Sequence, residues 1–139
     1  MVELFLFCSM VSFLPSFRRR RSWNGVSALR IRQACFTLNF DQVATFAQNA
    51  KTPALVVTGE DGVIGADRLH NMLDREMRSG GFRGKRSSGR PHLTLLYDRF
   101  RTKAFHVRPL SWPVTDFVLI RSVPSKPYEI LGRWPLAGA

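Results

Sequence analysis

The feature that most constrains this chain is a change of apolar period between residues 36 and 79. Phe36, Leu38 and Phe40 alternate with Thr37, Asn39 and Asp41, the two-residue period of a half-buried strand. Residues 43–46 extend that strand after a bulge. Lys51-Thr52-Pro53 turns the chain, and ALVVT at 54–58 is a short continuous apolar run of the kind found in a central strand. Then Leu69, Met72, Leu73 and Met77 recur at spacings of three and four, which predicts a helix over 65–79 with one apolar stripe. Asp67, Arg68, Asp74, Arg75 and Arg78 cover its other face. Asp61 or Asp67 suits the positive end of the helix dipole, and Gly80-Gly81 suits a left-handed stop.

Strand signals follow the helix. PHLTLLY at 91–97 is a strand with His92 and Thr94 on one face and Leu93, Leu95 and Tyr97 on the other. Residues 98–103 form a turn, and His106 and Arg108 lead on to Trp112-Pro113. VTDFVLIRS at 114–122 reads as one strand. Residues 124–127 turn it and 128–134 return as its hairpin partner. The expected fold class is therefore α+β, an antiparallel-rich sheet with one main helix packed on it.

Composition narrows the partner. The 139 residues make one domain's worth of core, and 45% hydrophobic content excludes a disordered chain. Twenty-one Lys and Arg against ten Asp and Glu give a formal charge of +11, a field that draws polyanions, so nucleic acid is the first partner class to consider. Two cysteines, Cys8 and Cys35, are too few for a disulfide framework and have no metal-ligand spacing, which fits a reducing cytoplasm and leaves no expected metal or cofactor. The apolar stretch 2–14 is too short to span a bilayer as a helix, and its arginines (Arg18 to Arg21) follow it rather than precede it as in a secretory signal. That stretch reads as a buried strand or as a segment outside the fold, and no stable membrane association is expected.

Residues 80–90 (GGFRGKRSSGR) form a basic glycine- and serine-rich loop. The loop fails as a nucleotide-triphosphate site, because Gly80 and Gly84 are one residue too close and Arg86 follows Lys85 where Ser or Thr is required. It can still grip RNA phosphates.

The chemistry lies in His92-Leu93-Thr94. Residues i and i+2 of a strand point the same way, so imidazole and hydroxyl can act on one phosphate, the ring moving a proton while the hydroxyl donates to a phosphoryl oxygen. An HxT triplet alone is weak evidence, since a strand histidine is more often structural. The run Pro91-His92-Leu93-Thr94-Leu95-Leu96-Tyr97-Asp98 is longer. With Ser111-Trp112, Phe117-Val118-Leu119 and Leu131-Gly132-Arg133-Trp134-Pro135-Leu136, it resembles the C-terminal lobe of the LigT-like 2′-5′ RNA ligases, RNA 2′,3′-cyclic phosphodiesterases of the two-histidine phosphoesterase superfamily. Phe36-Thr37-Leu38-Asn39-Phe40-Asp41 and the helix match the order of elements before that lobe. The resemblance covers about residues 34–136, with 1–33 a divergent or non-family segment.

The resemblance implies a two-lobed fold in which each lobe lends one HxT strand to a shared cleft. One histidine is the general base and the other protonates the leaving sugar oxygen, without metal. His92 and Thr94 take the second catalytic positions, and Arg90 and Tyr97 border them as candidate substrate-binding residues. Arg121 ranks below Arg90. The implied partner is RNA with 2′,3′-cyclic phosphate ends or 2′-5′ linkages, handled by a monomer. The first HxT should lie upstream of Phe36, yet no histidine occurs before His70. The place for its strand reads Leu4-Phe5-Leu6-Phe7-Cys8-Ser9-Met10, and a thiol of ordinary pKa such as Cys8 is mainly protonated at neutral pH. An incomplete first lobe and impaired catalysis are therefore expected, with a noncatalytic RNA- or phosphate-binding remnant as the alternative.

Overall fold

A computed structural model describes residues 3–8, 11–13, 30–46, 51–80, 90–123 and 125–138. The elements run β1 (Glu3–Cys8), β2 (Val11–Phe13), β3 (Phe36–Phe46), β4 (Ala54–Thr58), a 3-10 turn (Asp61–Val63), α1 (Ile64–Ser79), β5 (His92–Tyr97), β6 (Phe105–Val114), β7 (Asp116–Ser122) and β8 (Glu129–Pro135). They form two four-stranded antiparallel sheets, ordered β5-β4-β3-β6 and β2-β1-β7-β8. The basic loop anticipated at 80–90 lies, apart from its two end residues, outside the described residues.

The helical stripe does what its spacing predicts. Leu69, Leu73 and Met77, with Ala66, are buried on α1, and Met72 packs at the edge. They share one cluster with Val43 of β3 and Val57 of β4, and Leu93 packs against it. Val43, Val57 and Leu93 are cross-strand partners, so they stand side by side on the sheet face that α1 covers. Burying a stripe of this size removes several large side chains from water, each contributing about 1.5–3 kcal/mol.

A second part of the core joins the sheets. Leu38, Phe40, Val114, Phe117, Leu119 and Leu136 are buried together, with Trp112 and Trp134 packed against them. Trp112 meets the Phe40 ring edge-on at 5.1 Å, and Trp134 stacks on Phe117 at 5.5 Å. The tail closes this region by backbone bonds. The Cys35 N–H donates to the Ala137 carbonyl at 3.1 Å, and the Ala137 N–H donates to the Gln33 carbonyl at 2.8 Å.

Four local expectations need correction. First, Gly80 ends α1 with φ −76° instead of a left-handed turn, its N–H donating to the Glu76 carbonyl. Second, 114–122 is not one strand. Val114 pairs with Phe36 as the end of β6, and the chain breaks at Thr115 before β7. Third, residues 105–114 are a strand although they contain Pro109 and Pro113. β6 is the edge of its sheet, where a missing N–H can face away from the ladder. Fourth, Tyr97 does not face away from His92. Thr94 pairs with Val56, but Leu96 pairs with Leu55, so the register slips by one at Leu95. Tyr97 then pairs with Ala54 and rejoins the face of His92 and Thr94.

The turn between β4 and α1 lies hard against β3. A Cβ on Gly59 would come within 2.6 Å of the Asn39 carbonyl oxygen, and one on Gly62 would collide with the same backbone atom. Gly62→Ala is expected to destabilise by about 1–3 kcal/mol in urea unfolding, because the obstacle is backbone and cannot rotate aside. On α1, burial pushes the Asp67 carboxyl above its ordinary value, while the His70 and Arg90 charges pull it back. A carboxyl with a raised folded pKa binds its proton more tightly in the native state. Its stability contribution is complete below the unfolded pKa and declines as pH rises through the folded one. Asp67→Asn should therefore gain in melting temperature relative to wild type as pH rises from about 3 to 7, with the two converging at the acid end.

Candidate phosphate-handling site

β5 is an edge strand, so its side chains lie at the rim of the sheet rather than in its middle. On the face opposite α1, two cross-strand rows carry the candidate residues. One runs Gln42, Thr58, His92 and the other Ala44, Val56, Thr94. Gln42 is also paired with His106 of β6, which extends the first row to the far edge. Val56 and Thr58 are fully buried, yet Val56 stands apart from the α1 cluster, consistent with its being on the opposite face. His92 and Thr94 are half-buried.

Two contacts set the imidazole, and a third fixes the residue before it. His92 Nδ1 lies 2.7 Å from the Arg90 carbonyl oxygen. A carbonyl can only accept, so Nδ1 carries the proton in that bond and the neutral ring keeps its lone pair on Nε2. The Phe46 ring packs against the imidazole with centroids 4.9 Å apart and planes tilted by 60°. Thr58 Oγ1 donates to the Pro91 carbonyl at 2.7 Å in a fully buried bond, which pins the residue just before the histidine to β4. Pro91 is itself buried and cannot offer a competing N–H. The chain entering β5 is thus held by its two preceding carbonyls, one on a threonine hydroxyl and one on the catalytic candidate.

The sequence-derived candidates fall differently within this arrangement. His92 and Thr94 come together on one face. Arg90 contributes its carbonyl to the ring, while the charge of its exposed guanidinium is felt at Asp67 on the α1 side. Tyr97 is on the site face but 71% exposed, beyond the pair. Arg121 lies in the other sheet, paired with Leu4 and Glu129. Sequence reading missed Phe46 and Thr58. Thr58 could have been noticed as the polar end of an otherwise apolar run, but nothing local in the sequence points from Phe46 to a histidine so far along the chain.

No second imidazole is in reach. The chain has three histidines. His70 is on α1, behind the sheet. His106 shares the face of His92 but is separated from it by three strand spacings, about 14 Å. From the other sheet, β2 approaches β5 and reads Val11-Ser12-Phe13. Residues 3–8, within the stretch anticipated for the missing motif, form β1, an inner strand paired with β7. Among the described residues no group of three or more His, Cys, Asp or Glu is placed to hold a metal ion. No described helix is long and apolar enough to cross a membrane.

Comparison with known proteins bears on the fold. No family model matches the chain, and no curated protein does. Solved structures do match. Escherichia coli LigT complexed with 3′-AMP superposes with a TM-score of 0.67 at 24% identity, covering 91% of this chain and 76% of that one. E. coli LigT in its apo form gives a TM-score of 0.59 at 30% identity over 81% of this chain and 64% of that one. The protein TT0787 of Thermus thermophilus gives 0.63 at 22% identity, covering 92% and 78%. With two antiparallel sheets, one main helix behind the HxT strand, and these structural neighbours, the chain has the fold of the LigT-like phosphoesterases.

Proposed function

We propose that the chain acts on RNA ends bearing a 2′,3′-cyclic phosphate, with His92 as the single acid-base group and the Thr94 hydroxyl as a hydrogen-bond donor to the phosphate. The observation that carries this is the Nδ1 hydrogen bond to the Arg90 carbonyl. It leaves Nε2 as a proton acceptor on the same face as a hydroxyl two residues away, the pairing that proton transfer at a phosphate needs. Nε2 takes the proton of the attacking water as the new P–O bond forms and the P–O bond to one sugar oxygen breaks. The Thr94 hydroxyl donates to a non-bridging oxygen and stabilises the charge that builds there.

One imidazole supports half of the proton traffic. The attacking and leaving oxygens lie roughly in line on opposite sides of phosphorus. A ring placed to take a proton from one cannot reach the other, so the departing sugar oxygen must draw its proton from solvent. Loss of one acid-base partner costs on the order of 10² to 10⁴ in rate. We therefore propose slow hydrolysis, with a soluble, cytoplasmic, monomeric protein as its setting and residues 34–136 as the phosphoesterase domain.

A second reading is a noncatalytic binder of RNA phosphate. It is favoured by the distance across the sheet from His92 to His106 and by the absence of a histidine in the β2 sequence. Turnover of an RNA oligonucleotide ending in a 2′,3′-cyclic phosphate separates the two readings. The catalytic reading expects slow but measurable opening to a terminal phosphate, abolished in His92→Ala and reduced about tenfold or more in Thr94→Ala. Zero turnover in wild type, with His92→Ala binding the same RNA equally well, would leave only the binder. Nitrogen NMR of the His92 ring gives an independent check. The neutral form should show Nδ1 protonated, and an Nε2-protonated ring would remove the basis of the assignment.

A further inference from the structure

The segment that leaves the site has an unusual surface. Residues 97–104 read YDRFRTKA, with Tyr97 and Phe100 interleaved with Arg99, Arg101 and Lys103. Tyr97 is 71% exposed and Phe100 84%. Large rings in water are costly, and a loose loop would fold them inward. This loop is not loose. The Asp98 N–H donates to the Pro53 carbonyl at 3.1 Å, and Asp98 Oδ1 accepts from the N–H groups of Arg99 and Phe100. At its far end, Thr102 and Thr45 are joined twice, Thr102 N–H to Thr45 Oγ1 at 3.0 Å and Thr45 Oγ1 to the Thr102 carbonyl at 3.3 Å. The single carboxylate of the segment is thus used to cap its own turn, leaving the outer surface cationic and aromatic.

The surface is continuous with the site. The register slip at Leu95 brings Tyr97 to the face of His92 and Thr94. Tyr97 and Phe46 flank Ala54 in one cross-strand row, about 10 Å apart, and Phe46 touches the His92 ring. Phe46 and Tyr97 therefore put rings on the face of the imidazole with the small Ala54 between them, and the exposed Phe100 follows three residues after Tyr97.

We propose that Tyr97 and the 98–104 loop form a platform for single-stranded RNA, so that the substrate is an oligonucleotide end rather than a free cyclic mononucleotide. This rests on the reading of His92 and Thr94 given above. Rings stack on bases of any identity while cations follow the phosphates, the combination that single strands require. A purely apolar protein partner would gain little from three interleaved cations, and duplex RNA would not reach the rings.

The test is fluorescence anisotropy of the full chain with a labelled single-stranded oligoribonucleotide of about ten nucleotides ending in a 2′,3′-cyclic phosphate. Phe100→Ala should weaken binding about fivefold or more without altering the far-UV spectrum, since the ring is outside the core. Arg99→Gln with Lys103→Gln should lower the salt slope by about 1.4. Calorimetry with a free 2′,3′-cyclic mononucleotide should show affinity unchanged in Phe100→Ala and reduced in Thr94→Ala. Wild-type oligonucleotide affinity in the Phe100 and charge variants, or no RNA binding by wild type, would overturn the platform. The two readings fail separately. Loss of RNA affinity in Phe100→Ala with no effect of Thr94→Ala on the mononucleotide keeps the platform and removes the site. The converse keeps the site and removes the platform.

Discussion

The structure depends on how α1 closes over one face of β4 and its neighbours. Val57 lies between Val43 and Leu93, and the stripe of Leu69, Leu73 and Met77 shares their cluster. Because that face is satisfied, the residues between them, Thr58 and Val56 on β4 and His92 and Thr94 on β5, must project the other way. The strand period thus converts a packing requirement into a chemical one. Shifting β5 by one residue would bury the imidazole under α1 and turn Leu93 to the opposite face, so the hydrophobic pairing that stabilises the sheet also fixes what the candidate site contains.

Orientation within the site comes from a different source, the carbonyls at the entry to β5. Arg90 and Pro91 precede the histidine, and each commits its carbonyl to a specific donor, the His92 ring and the Thr58 hydroxyl. A proline at 91 fixes φ and removes an N–H that would need a partner in a buried position. The sequence Arg-Pro-His is then readable as a device that selects an imidazole tautomer. Replacing Thr58 by valine would keep the shape but leave the Pro91 carbonyl without its donor, a loss of about 1 kcal/mol that would be felt first at the histidine it supports.

Much of this was legible in the residues. The alternation at 36–41, the valine run at 54–58 and the stripe at 69–77 each specify an element through burial, and those elements are where expected. That His92 and Thr94 share one face was legible because the i, i+2 relation survives in any strand. What was not legible depends on neighbours that lie far away in the chain. β6 contains two prolines and reads as a connection until its place at a sheet edge makes them harmless. Tyr97 has the parity of Leu93 and Leu95 in the sequence. Only the slip against Leu55 and Val56 moves it to the other face. Phe46 reaches His92 across two strand boundaries, and no local pattern encodes that.

The same slip is what joins the proposed RNA platform to the face of His92 and Thr94. Without it, Tyr97 would point toward the α1 side and the aromatic line from Phe46 would end at Ala54. With it, the loop held by Asp98 and by the Thr45–Thr102 pair begins on the face of His92 and Thr94. In the function proposed above, proton transfer and RNA grip are therefore carried by separate parts of β5 and its extension. The first needs a second proton donor that the chain's three histidines do not supply at bonding distance. The second needs only rings, cations and a rigid loop, all of which are in place. On that proposal, a chain with one imidazole at the site would be slow yet still hold RNA, because the two depend on different residues.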